Sequence, residues 1–345
     1  MAKILYGFSG EGLGHATRVK EVARGLMASG HEIFFASYDR GYKYLSHDFE
    51  VAEISGIVFT YENNEFVFSK TFFNSFLKGP ATVKSLDKIA DIIKDKKIDL
   101  VISDFEPLTA LSAKLYKLPL ISLDNQHVIT KTKVDYPKNY KQGYVIDLLA
   151  TRLVMFNARA YLVLSFFGCQ PINSKVSIFA PVIRQEILEQ KPKTGDYALV
   201  YLTSKFEGMA EILRGLDQKF IIYGLDKEGK ENNLIFKKTS REGFLEDLVS
   251  CRAIIGTAGF SVISEALYLG KPYLAVPAKN QFEQILNAYQ LAKMGYGEYQ
   301  EELTRDGVIK FLSNLETYKD RLAGGIKPGN QAVLDKLEEL IKKYA

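Results

Sequence analysis

A histidine in a glycine-rich loop is the first residue whose type and position suggest chemistry. The loop GEGLGHATR follows a short apolar run and leads into an amphipathic segment, so we expect His15 at the start of a helix. Histidine titrates near neutrality, and the positive end of a helix disfavours its cation. His15 therefore suits a general base that removes a proton from an attacking hydroxyl. The alternative is a histidine that only hydrogen-bonds to the loop backbone.

Polar residues follow two other apolar runs at the point where a strand would end. Asp104 comes directly after DLVIS, where it could orient a base or bind an acceptor, or instead cap the next helix. Asp124, Asn125 and His127 follow the run LISL and are weaker candidates for binding an acceptor. Of these, His127 is the second candidate for the base. We predict His15 and Asp104 as the catalytic residues.

The stretch Ile254–Gly297 holds the densest set of candidate binding residues. An apolar strand ends near Gly256, and Gly259 allows the backbone to approach a ligand closely before a helix begins near Ser261. The free N–H groups at that helix start favour an anion. Glu265 lies about 6 Å further along the same helix face, where its carboxylate could accept hydrogen bonds from a ribose diol.

The order of residues in this stretch resembles the donor-site signature of GT-B glycosyltransferases. The nearest groups are the family that includes the lipid II-forming N-acetylglucosaminyltransferase and the UDP-glucuronosyl and plant glucosyltransferases. The matching residues are Gly259, Glu265, Ala266, Gly270, Pro272, Pro277, Glu283, Gln284, Asn287 and Ala288. The resemblance implies that Gly259 and Ser261 face the donor's diphosphate and Glu265 its ribose. It also implies that Glu283 and Gln284 bind the transferred sugar. The alternative is that Glu265 is a solvated helix residue and Gln284 a polar surface residue.

The resemblance extends to the first loop and includes two departures. Gly14 and His15 match a Gly-Gly-His motif in which Leu13 replaces the first glycine, and Gly14 is counted with the donor site. Thr257 stands where many relatives have a histidine or arginine that touches phosphate. Phe244, in a predicted loop at Ser240–Phe244 before a helix, is a weaker candidate for the nucleobase pocket. No D-x-D motif occurs, which suggests that helix starts rather than a metal stabilise the leaving group.

Short apolar strands alternate with amphipathic helices along the whole chain, which indicates parallel sheets built from β-α-β units. The series begins again at Tyr197, so we predict an α/β protein with two doubly wound, Rossmann-like domains facing each other across a cleft. The predicted divisions are 1–170 for an acceptor-binding domain, 180–330 for a nucleotide-sugar-binding domain and 331–345 for a C-terminal helix. Ligands should bind at the carboxyl ends of the strands, in the cleft.

Composition excludes several other classes of protein. The 345 residues include 45 lysines and arginines and 41 aspartates and glutamates. The resulting net charge of +4 is too small to indicate nucleic-acid binding. No stretch approaches the roughly 18–20 apolar residues that span a bilayer, and a signal peptide is not apparent. Cys169 and Cys251 form no metal-binding motif, and we expect a cytoplasmic protein without a metal or cofactor.

Two segments of the first half combine aromatic residues with lysines. Tyr61–Leu77 contains Phe66, Phe68, Phe72, Phe73 and Phe76, and Thr130–Tyr144 contains Lys131, Lys133, Lys138 and Lys141 among tyrosines. Such segments could bind a lipid-linked acceptor or the inner membrane surface peripherally. Core packing and a solvated loop explain them equally well.

The sequence thus predicts an inverting, metal-independent glycosyltransferase of the GT-B type. It would move a hexose or N-acetylhexosamine from a nucleotide-diphosphate sugar, such as a UDP-sugar, to a hydroxyl of a carbohydrate or lipid-linked acceptor in cell-envelope synthesis. A non-hydrolysing nucleotide-sugar epimerase shares the two-domain plan. A catalytically silent nucleotide-sugar-binding protein is the third interpretation.

Overall fold

A computed structural model gives the fold of residues 1–56, 61–62, 65–66, 79–155, 157–202, 208–225, 227–238 and 240–345. In chain order the strands are β1 (Lys3–Phe8), β2 (Glu32–Ser37), β3 (Val51–Glu53), β4 (Tyr61–Glu62), β5 (Glu65–Phe66), β6 (Leu100–Asp104), β7 (Leu120–Asp124), β8 (Thr132–Lys133), β9 (Ala160–Leu164), β10 (Gln170–Pro171), β11 (Val176–Phe179), β12 (Tyr197–Tyr201), β13 (Lys219–Tyr223), β14 (Gly229–Glu231), β15 (Leu234–Phe236), β16 (Ala253–Gly256), β17 (Tyr273–Ala275) and β18 (Gly297–Tyr299).

Helices connect these strands. They are α1 (Gly14–Ala28), α2 (Asp39–Leu45), α3 (Gly79–Lys96), α4 (Pro107–Leu115), α5 (Val128–Lys131), α6 (Lys141–Val154), α7 (Gln185–Leu188), α8 (Met209–Leu213), α9 (Arg241–Ser250), α10 (Phe260–Tyr268), α11 (Phe282–Met294), α12 (Arg305–Ser313), α13 (Leu315–Arg321) and α14 (Asn330–Tyr344). A 3₁₀ turn at Lys138–Tyr140 precedes α6. No helix in the described part of the chain is long and apolar enough to cross a membrane.

The first sheet has seven parallel strands in the order β11-β9-β7-β6-β1-β2-β3. Strands β6, β7 and β9 are buried at every residue, as expected for a parallel sheet whose two faces are covered by helices. The chain runs outward from β1 on one side and continues from β6 on the other. The strand order therefore reverses between β1 and β6, which opens a crevice beyond their carboxyl ends.

The second sheet repeats this plan in the order β14-β15-β13-β12-β16-β17-β18. Its strands are parallel except for β14, which pairs antiparallel with β15. The order reverses between β12 and β16, whose last residues Tyr201 and Gly256 are register partners. The prediction of an α/β protein with two doubly wound parallel sheets is confirmed.

The first half of the chain extends beyond its predicted end at residue 170. Strand β11 belongs to the first sheet, so that sheet continues past residue 170 to Phe179. Helix α14 then returns to the first half and packs on α1, where Leu334 leaves no room for a side chain on Gly25. His31 Nε2 lies 3.2 Å from the Glu338 carboxylate. Between residue 170 and β11 the chain forms β10, which pairs with β8 of the first half.

The aromatic segment predicted at Tyr61–Leu77 is described only in part. Strands β4 and β5 form a two-stranded ribbon within it. Residues 63–64 and 67–78, and with them Phe68, Phe72, Phe73 and Phe76, lie outside the described residues. Phe66 is described only through its backbone in β5.

Candidate active site

Two helix starts, one from each half, face each other at the crevices between strands. Helix α1 follows β1 and helix α10 follows β16, and a Cβ on Gly14 would lie only 2.4 Å from Ser261 Oγ. Neither helix start is capped by a side chain, and neither has an acidic residue in its first turn. The crevice beside this contact is therefore lined by helix N–H groups and two positive dipole ends, an environment that favours an anion, and we call it the gap.

His15 and Asp104 form a hydrogen-bonded pair on the first half's side of this gap. His15 Nδ1 lies 2.8 Å from Asp104 Oδ1, and the exposed fractions of the two side chains are 12% and 0%. Nδ1 also lies 2.7 Å from Arg18 Nη2, which itself donates to Asp104 Oδ1. We assign the ring proton to Nδ1 because this carboxylate oxygen is the acceptor that both groups share, which leaves the lone pair on Nε2. Gln126 Nε2, at 3.4 Å, faces that lone pair as a donor. The predicted catalytic residues are thus brought together with an imidazole nitrogen able to accept a proton.

Arg18 is a buried partner of this pair that sequence reasoning missed. Its Nε and Nη2 donate to the two oxygens of Asp104 at 2.5 Å each, and its Nη1 donates to Asn125 Oδ1 at 2.8 Å. Burial alone would lower the pKa of Arg18, but the charge of Asp104, its hydrogen bonds and the nearby Asp124 together raise that pKa. Arg18 follows His15 by three residues, so the two side chains lie on the same helix face. This spacing is the sequence feature that could have indicated Arg18.

Glu283, predicted to bind the transferred sugar, reaches the same network from the second half. Asn125 Nδ2 donates to Glu283 Oε1 at 2.7 Å, so hydrogen bonds run from His15 through Asp104, Arg18 and Asn125 to Glu283. Loss of hydration raises the pKa of Glu283, while the nearby His15 and the bond from Asn125 oppose that rise. The acceptor-side candidate Asn125 therefore connects the two halves of the site.

Asp147, in α6, lies beside Glu283 and was not predicted from the sequence. Its carboxylate accepts a hydrogen bond from the backbone N–H of Glu283, in the first turn of α11. Loss of hydration, followed by the charge of Glu283, raises the pKa of Asp147 to about 7. A residue of the first half thus caps the helix that carries the proposed sugar-binding carboxylate.

This raised pKa has a predictable effect on stability. A carboxyl group titrating at about 7 when folded favours the folded state below the unfolded pKa of about 3.9, and that contribution is lost as the pH rises to about 7. We expect Asp147→Asn to keep the cap and to increase the free energy of unfolding by about 1–2 kcal/mol at pH 8, with little change at pH 4. Urea unfolding at both pH values measures this, and the exposed Asp91→Asn is the control. A difference independent of pH would contradict it.

Glu265, the predicted ribose ligand, is 8% exposed and already has a cationic partner. Arg184 Nη2 donates to its Oε2 at 3.0 Å, and Arg184 Nε lies 2.8 Å from Oε1 in an orientation that makes an ion pair only. Burial raises the pKa of Glu265, and Arg184 opposes this rise. Since a carboxylate has about four lone-pair directions, a ribose diol could share it with Arg184. The sequence did not indicate Arg184.

The remaining donor-site residues shape the loops around these groups. Gln284 Oε1 accepts the Ala278 N–H at 2.9 Å. The carbonyl of Thr257, whose side chain is buried, accepts the Tyr273 hydroxyl at 2.7 Å, and Asn287 donates to the Ala258 carbonyl at 3.1 Å. These bonds fix the turn around Gly259, which is the N-cap of α10.

Phe244 lies in α9 and not in the loop that was predicted to precede that helix. Ser240 caps the helix by accepting the Gly243 N–H, which places Phe244 in the early part of α9. Its ring centroid lies 4.9 Å from that of Tyr201 and 5.5 Å from that of Tyr223. Tyr201 ends β12 at the second crevice, so Phe244 remains next to the predicted nucleotide site.

His127 and Asp124 form a second histidine–aspartate pair, but a more deeply buried one. His127 is 1% exposed, and its Nδ1 lies 2.8 Å from Asp124 Oδ2. Burial would raise the pKa of Asp124, but the charge of His127 and the hydrogen bonds from His127 and Ser122 together lower it. His127 Nε2 has no hydrogen-bond partner among the described residues. This burial favours His15 over His127 as the group that meets an acceptor.

The tyrosines of Thr130–Tyr144 pack against the second half. The rings of Tyr136 and Tyr144 are stacked, with centroids 4.4 Å apart, and both contact Phe282 edge-on. Tyr140 donates to Glu301 at 2.6 Å. Of the explanations left open by the sequence, packing therefore accounts for these aromatic residues.

Among the residues that the structure describes, no cluster of three or more His, Cys, Asp or Glu side chains could hold a metal ion.

Comparison with known proteins identifies the family of this chain. Residues 2–316 match the family model described as glycosyl transferase family 1. The chain belongs to this family. An uncharacterized glycosyltransferase from Methanosarcina mazei is 27% identical over 341 residues, covering 89% of this chain and 88% of that protein. A shorter match, 30% identical over 101 residues, covers 26% of this chain and 28% of a Bacillus cereus UDP-N-acetylglucosamine--N-acetylmuramyl-(pentapeptide) pyrophosphoryl-undecaprenol N-acetylglucosamine transferase.

Solved structures establish the fold of this glycosyltransferase. The glycotransferase of kitacinnamycin is 16% identical with a TM-score of 0.69, and the match covers 98% of each chain. A UDP-glucosyltransferase from Polygonum tinctorium is 12% identical with a TM-score of 0.69, covering 99% of each chain. The prediction of a GT-B glycosyltransferase is confirmed.

Proposed function

We propose that this glycosyltransferase is inverting and metal-independent, and that it transfers a hexose or N-acetylhexosamine from a UDP-sugar to an acceptor hydroxyl. One observation carries the proposal: the His15–Asp104 pair is joined by hydrogen bonds to Glu283 across the cleft, beside two opposed helix starts. A base and a sugar-binding carboxylate on opposite sides of one gap suit an in-line displacement at the anomeric carbon. We propose that residues 1–170 bind the acceptor and that residues 180–330 bind the donor.

On the donor side, the uncapped starts of α1 and α10 are proposed to hold the diphosphate. Gly14, Gly259 and Ser261 lie at this gap, and their backbone N–H groups can stabilise the charge that develops on the leaving diphosphate. Thr257 supplies no cation, so this role falls to the helix starts. Glu265 would accept from the ribose hydroxyls.

In the proposed transfer, the acceptor hydroxyl binds at His15 Nε2, close to where Gln126 now donates. The acceptor oxygen attacks the anomeric carbon, the bond from that carbon to the diphosphate oxygen breaks, and the acceptor proton passes to Nε2. Asp104 holds the Nδ1 proton and stabilises the imidazolium that forms. Glu283 and Gln284 orient the sugar through its hydroxyls. No metal or cofactor takes part.

Two similar proteins support the proposal of UDP and of a lipid-linked acceptor. The Bacillus cereus relative and the Polygonum tinctorium enzyme are both named for UDP-sugars, and the name of the former also includes an undecaprenol-linked acceptor. For this chain, we therefore propose a glycolipid or polymer precursor of the cell envelope, modified on the cytoplasmic side.

Loss of the Glu265 carboxylate tests the donor site. We expect Glu265→Gln to raise the dissociation constant of UDP about tenfold, because a hydrogen bond to a charged group is worth about 1.5–3 kcal/mol and the amide retains part of it. Titration calorimetry measures the affinity, and melting temperatures check that the loss of the Arg184 ion pair leaves the protein folded. Glu339→Gln, at an exposed position of α14, is the control. Unchanged UDP affinity in a folded Glu265→Gln protein would disprove the assignment.

A further inference from the structure

Helix α6 has an apolar face that is exposed to solvent. Val145, Ile146, Leu149 and Leu153 are 41%, 44%, 53% and 74% exposed. Their spacing of three and four residues places them along one side of the helix. Single large apolar side chains scattered over a protein surface are common. Four on one side of a helix form a continuous apolar patch, and such a patch often marks a binding surface.

The same side of the helix carries positive charge. Lys141 and Arg152 are exposed at its two ends, and Lys138 precedes it in the 3₁₀ turn. The one acidic residue of α6, Asp147, lies on the opposite side against Glu283. We call Val145, Ile146, Leu149 and Leu153 with Lys141 and Arg152 the α6 face. An apolar strip flanked by cations and free of acids is complementary to an anionic lipid surface.

The position of the α6 face relates it to the active site. The inner side of the helix contacts α11, where Tyr144 packs on Phe282 and Asp147 caps the turn that carries Glu283. The α6 face is thus one helix diameter away from the proposed sugar site. A second copy of the chain fits this surface less well, because a two-fold contact would bring the same cations together.

We propose that the α6 face docks on the surface of an anionic phospholipid membrane. The apolar side chains enter the headgroup boundary while Lys141 and Arg152 pair with lipid phosphates. The rim of the cleft then lies against the bilayer, where a lipid-linked acceptor presents its hydroxyl. This surface replaces the tyrosine segment as the membrane contact, because those tyrosines are packed between the two halves.

Vesicle co-sedimentation of the full chain tests the proposal. Wild-type protein should bind vesicles made of phosphatidylglycerol and phosphatidylcholine in equal parts, bind weakly to phosphatidylcholine alone, and dissociate at high salt. The double variant Leu149→Glu, Leu153→Glu should lower the fraction bound to anionic vesicles about tenfold or more. The matched control is Leu115→Glu with Ile309→Glu, two equally apolar and exposed positions on other helices, and it should bind like wild type.

Three results would overturn the proposal. They are no binding of wild-type protein to anionic vesicles, equal binding by the α6 double variant, and a dimer in sedimentation velocity that this variant abolishes. The vesicle assay contains neither donor nor acceptor, and UDP affinity of the double variant is measured separately. A failure of membrane docking is therefore distinguishable from a failure of the proposed transfer, which the docking would serve.

Discussion

His15→Asn should lower kcat/KM for sugar transfer by about 100-fold to 10,000-fold, the range for loss of a general base. Asparagine can still donate a hydrogen bond toward Asp104, but it cannot accept the acceptor's proton. The affinity for UDP should stay nearly unchanged, because His15 is proposed to act on the acceptor oxygen and not on the nucleotide. The expected signature is thus a loss of turnover without a loss of donor binding.

Single-turnover rates with saturating donor give the cleanest measurement, because product release does not mask the chemical step. Asp104→Asn should also slow this step, since the ring then loses the acceptor that fixes its Nδ1 proton. His47→Asn, on an exposed histidine, is the matched control and should behave like wild type. A His15→Asn protein with normal turnover would show that the base lies elsewhere, with His127 the next candidate.

Arg18→Met should destabilise the protein by about 3–5 kcal/mol and also slow transfer. The change leaves Asp104 buried and charged without the two hydrogen bonds from Arg18, and an unpaired buried charge carries a cost of that size. It also frees Asn125, which orients Glu283. Arg18→Lys should recover only part of both losses, because an ammonium cannot make the same planar pair of bonds.

A double-mutant cycle separates this charge effect from general damage to the helix. If Arg18 compensates Asp104, the protein with both Arg18→Met and Asp104→Asn should be more stable in urea than Arg18→Met alone. Arg24→Met, on an exposed arginine of the same helix, controls for loss of a charge and should change stability by less than about 1 kcal/mol. Additive effects of the two substitutions would contradict the proposed pairing.

The fold was predictable because its signals are local. The apolar runs DLVIS and LISL became β6 and β7, and each strand extends to the aspartate that follows the run. The predicted end of the first domain at residue 170 left out β11, a strand of only four residues. We expected functional residues beyond the carboxyl ends of the strands. Because β1 and β6 are neighbours, His15 and Asp104, which follow or end these strands, lie at one crevice.

The contacts within the site were less accessible because their partners are far apart in the chain. Arg184 meets Glu265 across 81 residues, and Asn125 meets Glu283 across 158 residues. Pattern and propensity act over a few residues and say nothing of such pairs. Asp147 and the packing of Tyr136 and Tyr144 on Phe282 depend on how the two halves meet, which only the folded structure specifies.

The most direct test of the proposed reaction is to follow nucleotide release and the sugar product together by NMR. Purified protein is incubated with α-linked UDP-hexoses and UDP-N-acetylhexosamines, with and without membrane lipid extracts as acceptors. We predict UDP release that requires an acceptor, is lost in His15→Asn, and yields a β-linked product. An isomerised donor without a glycoside, or UDP-sugar binding with no turnover under any acceptor, would contradict it.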